Sequence, residues 1–323
     1  MPSIGILEKG DNILWSSSME IQRYLLLVKY AISFAQNVRD GRLDEIGHIP
    51  YQGVDHLENH VMFIRTRAFQ DKKDEIVLHF CLDYAESELR DKSSAMQLLD
   101  LFIDKILERV KIKGKFIEKI SEDPAEFENT CDDAYREAMG TGQLMAEIET
   151  GLMLDGLDQR QKSMKLLFSA VSVQGLPIAS NFYENMVSHF RITVAETEDA
   201  HSVLESLISA QLSTLSYEST VQGTSCTYLS FKFTDFFSFT ERQLTVNFFP
   251  VTNDLDRKIL FQDDFSFIIM SEGDAELAHV FQMSVTPLFA QTGLFNEKFS
   301  GNLTKYGAVK SLLMRFPRSL QGS

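Results

Sequence analysis

Residues 166–180, LLFSAVSVQGLPIAS, are the stretch from which the fold of the second half of this sequence follows. Two apolar runs, 166–172 and 176–180, flank Val173-Gln174-Gly175. Gly175 supplies the positive φ that a tight turn between antiparallel strands requires. The stretch contains no obvious acid, base, nucleophile or metal ligand. It therefore predicts a structural β-hairpin rather than a reactive centre.

The elements after this hairpin alternate between helical and strand-like patterns. An irregular connection is predicted at 181–196, and its segment HFRITVA could form an extra strand. The helix that follows is predicted to be capped by Thr197 or Asp199. Apolar periodicity then predicts a helix at 198–216, strands at 225–234, 243–249 and 258–270 with a bulge at 263–264, and a helix at 273–291.

A further helix is predicted at 143–164, ahead of the hairpin. The first half of the chain repeats the order of the second half without this leading helix. We predict strands at 3–8, 13–17, 44–52, 60–69 and 75–84, and helices at 18–37 and 94–113. Alternation in 75–84 places His79, Cys81 and Asp83 on the face opposite Leu78 and Phe80. Antiparallel strands covered by helices define an α+β fold, and the repeated order indicates an internal duplication.

Composition limits the classes of function. The 323 residues carry a formal net charge of −15, which argues against general nucleic-acid binding. The three cysteines are far apart and form no CxxC motif, which argues against a disulfide framework and against a zinc site. This cysteine usage is consistent with a reducing compartment. No signal peptide or membrane span is recognised, so we expect a cytoplasmic protein. The acidic run 121–158 lacks the alternation of an EF-hand and indicates a solvated linker with some helix.

Three segments of the second half carry a resemblance to a known family. They are GLPIAS at 175–180, QLTVNFFPVTND at 243–254 and FSFIIMSEGDAELAHVFQMSV at 265–285. Together they resemble roadblock domains, and the element order of the first half is similar to that of longin domains, the sister fold. The resemblance implies two longin/roadblock-type units, each a five-stranded antiparallel sheet packed by helices. The expected domains are 1–118 (longin-like), 119–165 (acidic linker with helix), 166–293 (roadblock-like) and 294–323 (basic amphipathic tail).

The same resemblance implies a non-catalytic scaffold that binds or regulates a small GTPase or assembles into a trafficking or signalling complex. It pairs with other longin/roadblock modules or forms a homodimer, and no cofactor or metal is expected. The alternatives are a ligand-sensing module and an acyltransferase-like enzyme on a mixed α+β fold. The expected partner-binding residues lie on the second apolar face of the first helix, on a serine stripe of the 198–216 helix and on the tail: Leu26, Tyr30, Phe34, Ser202, Ser206, Ser209, Ser213, Lys310, Leu313, Arg315 and Phe316.

Three further features of the sequence concern a metal site, nucleotide-binding or hydrolase motifs, and an amphipathic tail. His56 and His60 are four apart, but a strand follows at once, which separates their side chains by about 13 Å and argues against a shared metal ion. No P-loop, G-x-G-x-x-G or G-x-S-x-G motif occurs in the sequence. The tail, 305–318, alternates apolar and basic residues; contact with an anionic membrane, contact with a partner, and packing on its own domain stay open.

Overall fold

The fold is that of a computed structural model of the chain. It describes residues 2–8, 12–39, 41–50, 58–71, 74–88, 92–113, 123–149, 163–184, 186–191, 199–234, 238–251, 265–273, 275–295, 299–316 and 319–321. The chain divides into two compact units: unit 1 is Met1–Lys29 with Gly47–Gln159, and unit 2 is Tyr30–Ile46 with Arg160–Ser323. Unit 2 is thus assembled from two separate pieces of sequence, unlike the contiguous domains expected above.

Unit 1 contains the predicted elements of the first half. Its strands are β1 (Ser3–Glu8), β2 (Ile13–Ser16), the end of β3 (Arg42–Pro50), β4 (His60–Asp71) and β5 (Asp74–Ala85), paired in the order β3-β4-β5-β1-β2. Its helices are the start of α1 (Met19–Asn37), a 3₁₀ turn at Glu86–Glu88, α2 (Lys92–Lys113) and α3 (Pro124–Glu149). The β1–β2, β1–β5 and β4–β5 pairs are antiparallel.

The first core of unit 1 lies between β5 and two helices. Leu78, Phe80 and Leu82 are fully buried on one face of β5, as the alternation predicts. Trp15 stacks on Phe102 of α2 at 5.5 Å between ring centroids. Four buried residues of α3 complete this core: Phe127, Cys131, Ala134 and Ala138.

The helix α3 corrects the interpretation of the acidic run. Trp15 donates an indole hydrogen bond to Asp132 at 3.0 Å, and the hydroxyl of Tyr135 donates to the carbonyl of Pro2 at 2.9 Å. Arg109 of α2 forms ion pairs with Asp133 and Glu137. The described part of this run is therefore a packed helix and not a solvated linker, because its apolar stripe is buried and part of its charge is neutralised by α2.

The opposite face of the unit 1 strands is covered by α1. A side-chain Cβ at Gly5 would lie 2.9 Å from Cδ1 of Leu25, so glycine allows α1 to approach β1 closely. Tyr24, Leu25 and Val28 are buried on this side of the helix. The second face of β5, with Cys81 and Asp83, is consequently buried as well.

Unit 2 contains more strands than the predicted five. Its strands are the start of β3, β6 (Ser163–Val173), β7 (Leu176–Phe182), β8 (Thr224–Thr234), β9 (Glu241–Pro250), β10 (Phe265–Gly273) and β11 (Ser319–Gln321). They pair in the order β11-β6-β10-β9-β8-β3, and β7 pairs with β6 as well. The α+β class is confirmed, but the strands do not form two separate five-stranded sheets, because the unit boundary falls inside β3 and because β11 adds a strand.

The helices of unit 2 include the two predicted at 198–216 and 273–291. They are the end of α1, a 3₁₀ turn at Val187–His189, α4 (Ala200–Val221), α5 (Ala275–Gln291), a 3₁₀ turn at Leu303–Tyr306 and α6 (Gly307–Leu313). Asp199 caps α4 by accepting a hydrogen bond from the backbone N–H of His201, which confirms one of the two predicted caps. The alternative cap, Thr197, and the bulge at 263–264 lie outside the described residues, as does most of HFRITVA.

The predicted hairpin is confirmed. β6 and β7 pair antiparallel, and the two turn residues Gln174 and Gly175 have φ angles of 50° and 78°. Positive φ at both positions matches the twist of adjacent strands. The helix predicted at 143–164 is only partly correct: α3 extends to Glu149, 150–162 lie outside the described residues, and β6 begins at Ser163.

An aromatic cluster forms the core of unit 2. Phe267 of β10 lies 5.0 Å from Phe289 of α5 and 6.0 Å from Phe316 of the tail, between ring centroids. The other tail residues in this core are Tyr306, Val309 and Leu313. Tyr183 donates its buried hydroxyl to the carbonyl of Leu313 at 2.7 Å. The apolar side of the tail therefore packs on unit 2, which is the third of the three alternatives predicted for it.

Candidate functional site

The helix α5 is apolar on both sides. Its inner side carries Ala278, Phe281, Val285 and Phe289, all buried in the unit 2 core. On its outer side Val280 is 55% exposed, Met283 49% and Leu288 39%. An ordinary surface helix has one apolar stripe and a polar side opposite. We define the outer face of α5 as Val280, Met283, Ser284, Pro287, Leu288 and Gln291, all of which are exposed.

The outer face of α5 carries no formal charge. Residues 277–291 contain no Asp, Glu, Lys or Arg, in a chain whose net charge is −15. The hydroxyl of Ser284 donates to the backbone carbonyl of Val280 at 2.9 Å, so this polar group is bonded to its own helix. Exposed apolar surface without charge, with methionine near its centre, is the composition of a protein-docking surface.

A smaller apolar patch lies beside the hairpin turn. Leu176 is 50% exposed, and Tyr217 and Val221 of α4 are 43% and 60% exposed. The turn packs against α4, since a Cβ at Gly175 would lie 3.4 Å from Cβ of Tyr217. The sequence GLPIAS thus positions a strand against α4 and leaves one leucine at the surface.

A different kind of site lies inside unit 1, on the strand face under α1. His48 Nε2 is 2.9 Å from Asp83 Oδ1, and His60 Nδ1 is 2.9 Å from Asp83 Oδ2. One donor atom from each of these residues lies within 4.8 Å of the other two. We call this group the His–Asp–His cluster. A single carboxylate therefore contacts two imidazole rings, one through each oxygen.

Strand register explains how three distant residues meet. On the β4–β5 ladder His60 pairs with Ala85 and Met62 pairs with Asp83, so His60 and Asp83 are diagonal neighbours on one face. His48 lies on β3, the strand next to β4 in the sheet. Its ring centroid is 4.8 Å from that of Tyr24 on α1 and 5.5 Å from that of His60. Tyr24 of α1 thus packs against the ring of His48.

The electrostatics of the cluster favour ionised Asp83. Burial alone would raise the pKa of this carboxyl, but the hydrogen bonds and charges of His48 and His60 outweigh burial and hold the pKa below its ordinary value. Burial alone would lower the pKa of His60, but its hydrogen bond to Asp83 and the negative charges of Asp83, Glu58 and Glu20 raise it. The negative charges of Asp83, Glu58 and Glu20 therefore favour a cation at His60.

Solvent reaches the cluster from one side. The side chain of His48 is 0% exposed and that of Asp83 is 7% exposed, whereas that of His60 is 24% exposed. The nearby thiol of Cys81 is fully buried, and burial raises its pKa, so it stays protonated. Burial likewise raises the pKa of the Cys131 and Cys226 thiols. Among the described residues, the two imidazoles and the carboxylate are the candidate metal-donor groups of this site.

The expected partner-binding residues separate into exposed and buried groups. Ser202, Ser206 and Arg315 are exposed, and Leu26, Tyr30 and Lys310 are half-buried. The others are buried within the chain and present no surface to a partner: Phe34, Ser209, Ser213, Leu313 and Phe316. This corrects the expectation for those five residues.

Phe34, Ser209 and the half-buried Lys310 have partners within unit 2. Phe34 packs edge-on against Phe231 at 5.7 Å, and the hydroxyl of Ser209 donates to the carbonyl of Glu205 at 2.6 Å. Lys310 donates to the carbonyl of Ser180 and forms an ion pair with Glu205. Part of the predicted serine stripe and part of the basic tail therefore hold unit 2 together.

Both candidate sites were missed at the level of sequence. His56 lies outside the described residues, while His60 contacts Asp83 across the strands. The available signal was Asp83 among the apolar residues near the end of β5, because a buried carboxylate needs a partner. For α5, the signal was a helical stretch without charge between 277 and 291.

Comparisons with known proteins identify no family for this chain. No protein-family model matches the sequence, and no curated protein matches it. One solved chain, titled "Structure of an RNA-binding Light-Oxygen-Voltage Receptor", is 8% identical, with 83% of this chain and 94% of that chain covered at a TM-score of 0.19. A TM-score this low carries no argument about fold or function. None of the helices in the described ranges has the length and apolar character needed to cross a membrane.

Proposed function

We propose that this protein is a non-catalytic interaction scaffold that binds a small GTPase through the outer face of α5. The observation that carries the proposal is the uncharged, apolar outer side of a helix whose inner side already packs into a core. The identity of the partner is drawn from the resemblance of 166–285 to roadblock domains, a segment that includes most of α5.

The chemistry of the face fits a protein partner. Val280, Met283 and Leu288 offer aliphatic and thioether groups, which adapt to a partner's shape. Charged residues are depleted at the centres of protein interfaces, as they are here. The mechanism is conformational: a partner that binds this face more tightly in one nucleotide state has its equilibrium shifted toward that state.

The test is a binding measurement with purified small GTPases, each loaded with GDP or with a non-hydrolysable GTP analogue. The full chain is immobilised, and affinity is measured by biolayer interferometry. The double variant Val280→Asp/Met283→Asp is expected to weaken binding by at least about 100-fold, because two charges would be buried without partners.

Two control variants separate this surface from others. Met314→Asp places the same charge on another exposed apolar residue of unit 2, which is 63% exposed, and is expected to leave affinity unchanged. Ser202→Asp/Ser206→Asp tests the exposed part of the serine stripe. Equal binding by wild type and the α5 variant would overturn the proposed surface, and no binding to any GTPase in the panel would overturn the proposed partner.

A further inference from the structure

The His–Asp–His cluster has the donor set of a transition-metal site. Two imidazole nitrogens and a carboxylate oxygen are ligands that bind Zn²⁺ and related divalent ions, whereas Mg²⁺ and Ca²⁺ prefer oxygen ligands alone. All three donor atoms lie within 4.8 Å of one another. Two donors that share an ion at about 2.1 Å from each lie at most about 4.2 Å apart. The side chains are therefore close to the spacing that one ion requires.

The nitrogen–oxygen distances lead to the same conclusion. His48 Nε2 and His60 Nδ1 each lie 2.9 Å from an oxygen of Asp83. Adjacent ligands of a tetrahedral ion, each about 2.1 Å from it, are separated by about 3.4 Å. Replacing the proton between a nitrogen and an oxygen by an ion therefore requires little movement of the side chains.

Charge and access also favour a cation. Asp83 supplies a buried negative charge, and Glu58 and Glu20 add negative potential at His60. These two glutamates are exposed, so they attract cations from solvent toward the half-buried side of the cluster. The 24% exposed side chain of His60 marks the side from which an ion enters.

We propose that His48, His60 and Asp83 bind one divalent transition-metal ion of the Zn²⁺ class. Three protein ligands leave a further coordination position for water, which is the arrangement of an open zinc site. Tyr24, which packs against the ring of His48, fixes the orientation of that ligand. The proposal concerns unit 1 alone and does not depend on what binds the outer face of α5.

The experiment uses the full chain after dialysis against EDTA. Zn²⁺ is titrated by calorimetry, and Co²⁺ serves as a spectroscopic probe through its visible absorption. The expected result is one ion per chain. His60→Ala is expected to lower the affinity at least about tenfold, since this ligand is the most exposed of the three and its removal disturbs the fold least. Asp83→Asn, with folding checked by circular dichroism, is expected to do the same.

Matched variants exclude unspecific binding to histidine. His279 is exposed on α5, and His279→Ala is expected to keep the stoichiometry and affinity of wild type. Three results overturn the proposal: no saturable Zn²⁺ binding, binding that His60→Ala leaves unchanged, or a Co²⁺ spectrum with thiolate charge-transfer bands, which would assign the ion to cysteine. Loss of binding in His60→Ala with retention in His279→Ala supports it.

Discussion

The two units place their polar groups in opposite ways. Unit 1 buries a carboxylate between two imidazoles on a strand face that is covered by α1. Unit 2 fills its core with aromatic rings and leaves a charge-free helix side exposed to solvent. Burying an ionised group is costly unless it is paired, and leaving apolar area in water is also unfavourable. Each unit therefore carries one feature that folding alone does not favour.

The difference separates two kinds of recognition. A cluster of hydrogen-bonding side chains inside unit 1 suits a small cation, which needs few ligands and little area. A broad apolar helix side on unit 2 suits a macromolecule, whose affinity grows from buried surface. Substitutions in each unit test this contrast, and the expected effects on stability fall from several kcal/mol to almost none.

The largest effect is expected in the aromatic cluster. Phe267 is 1% exposed and contacts rings from α5 and from the tail. Phe267→Ala removes a buried ring and leaves a cavity, which lowers the free energy of unfolding by about 3–5 kcal/mol. Urea denaturation followed by fluorescence measures the change. Leu303→Ala, at a residue 47% exposed, is the control and is expected to change stability by less than about 0.5 kcal/mol.

The next effect is expected in the His–Asp–His cluster. Asp83→Asn keeps the shape of the side chain but removes the charge that both imidazoles face, and the expected loss is about 3 kcal/mol in metal-free protein. His60→Ala is expected to cost less, because His60 is partly solvated. Both are measured by denaturation in the presence of EDTA. An Asp83→Asn variant as stable as wild type would mean that the cluster contributes nothing to folding.

A smaller effect is expected at Tyr183. Its hydroxyl bonds the carbonyl of Leu313 and lies 2.7 Å from the hydroxyl of Ser169, so Tyr183→Phe is expected to cost about 1–2 kcal/mol at neutral pH. Burial raises the pKa of Tyr183 to about 12. Because the folded state favours the neutral phenol, this contribution to stability is present below about pH 10 and declines toward pH 12. The difference between wild type and variant should narrow over that range; a constant difference would contradict the assignment.

The smallest effect on stability is expected on the outer face of α5. Val280 and Met283 are about half exposed, so Val280→Asp/Met283→Asp is expected to change the free energy of unfolding by less than about 1 kcal/mol. Thermal unfolding followed by circular dichroism checks this. A loss as large as that of Phe267→Ala would show that these side chains contribute to the core rather than to a docking surface.

Local chemistry made much of the fold predictable. The hairpin followed from Gln174-Gly175, because few residues tolerate the positive φ of that turn. The start of α4 followed from Asp199, whose side chain caps the helix. Alternation in β5 separated Leu78 and Phe80 from Asp83 correctly. In each case the determining interactions lie within a few residues of sequence.

The errors came from interactions between distant residues. The acidic run concealed the stripe Phe127, Cys131, Ala134 and Ala138, since eleven acidic residues between 121 and 158 indicated a solvated segment. The strand β11 has three residues and is defined only by its partner β6. Neither the His–Asp–His cluster nor its cover by α1 follows from spacing, because register between strands brings the three residues together.

The assignment of Tyr30–Ile46 to unit 2 affects the order of folding during synthesis. Asn37 donates to Gln211 at 3.0 Å and Phe34 packs on Phe231, so this early segment finds its partners only after most of the chain has been translated. Unit 1, whose residues end at Gln159, is completed first. In the interval the nascent chain exposes an apolar helix end without its native contacts, and exposed apolar surface of this kind makes folding intermediates prone to aggregation.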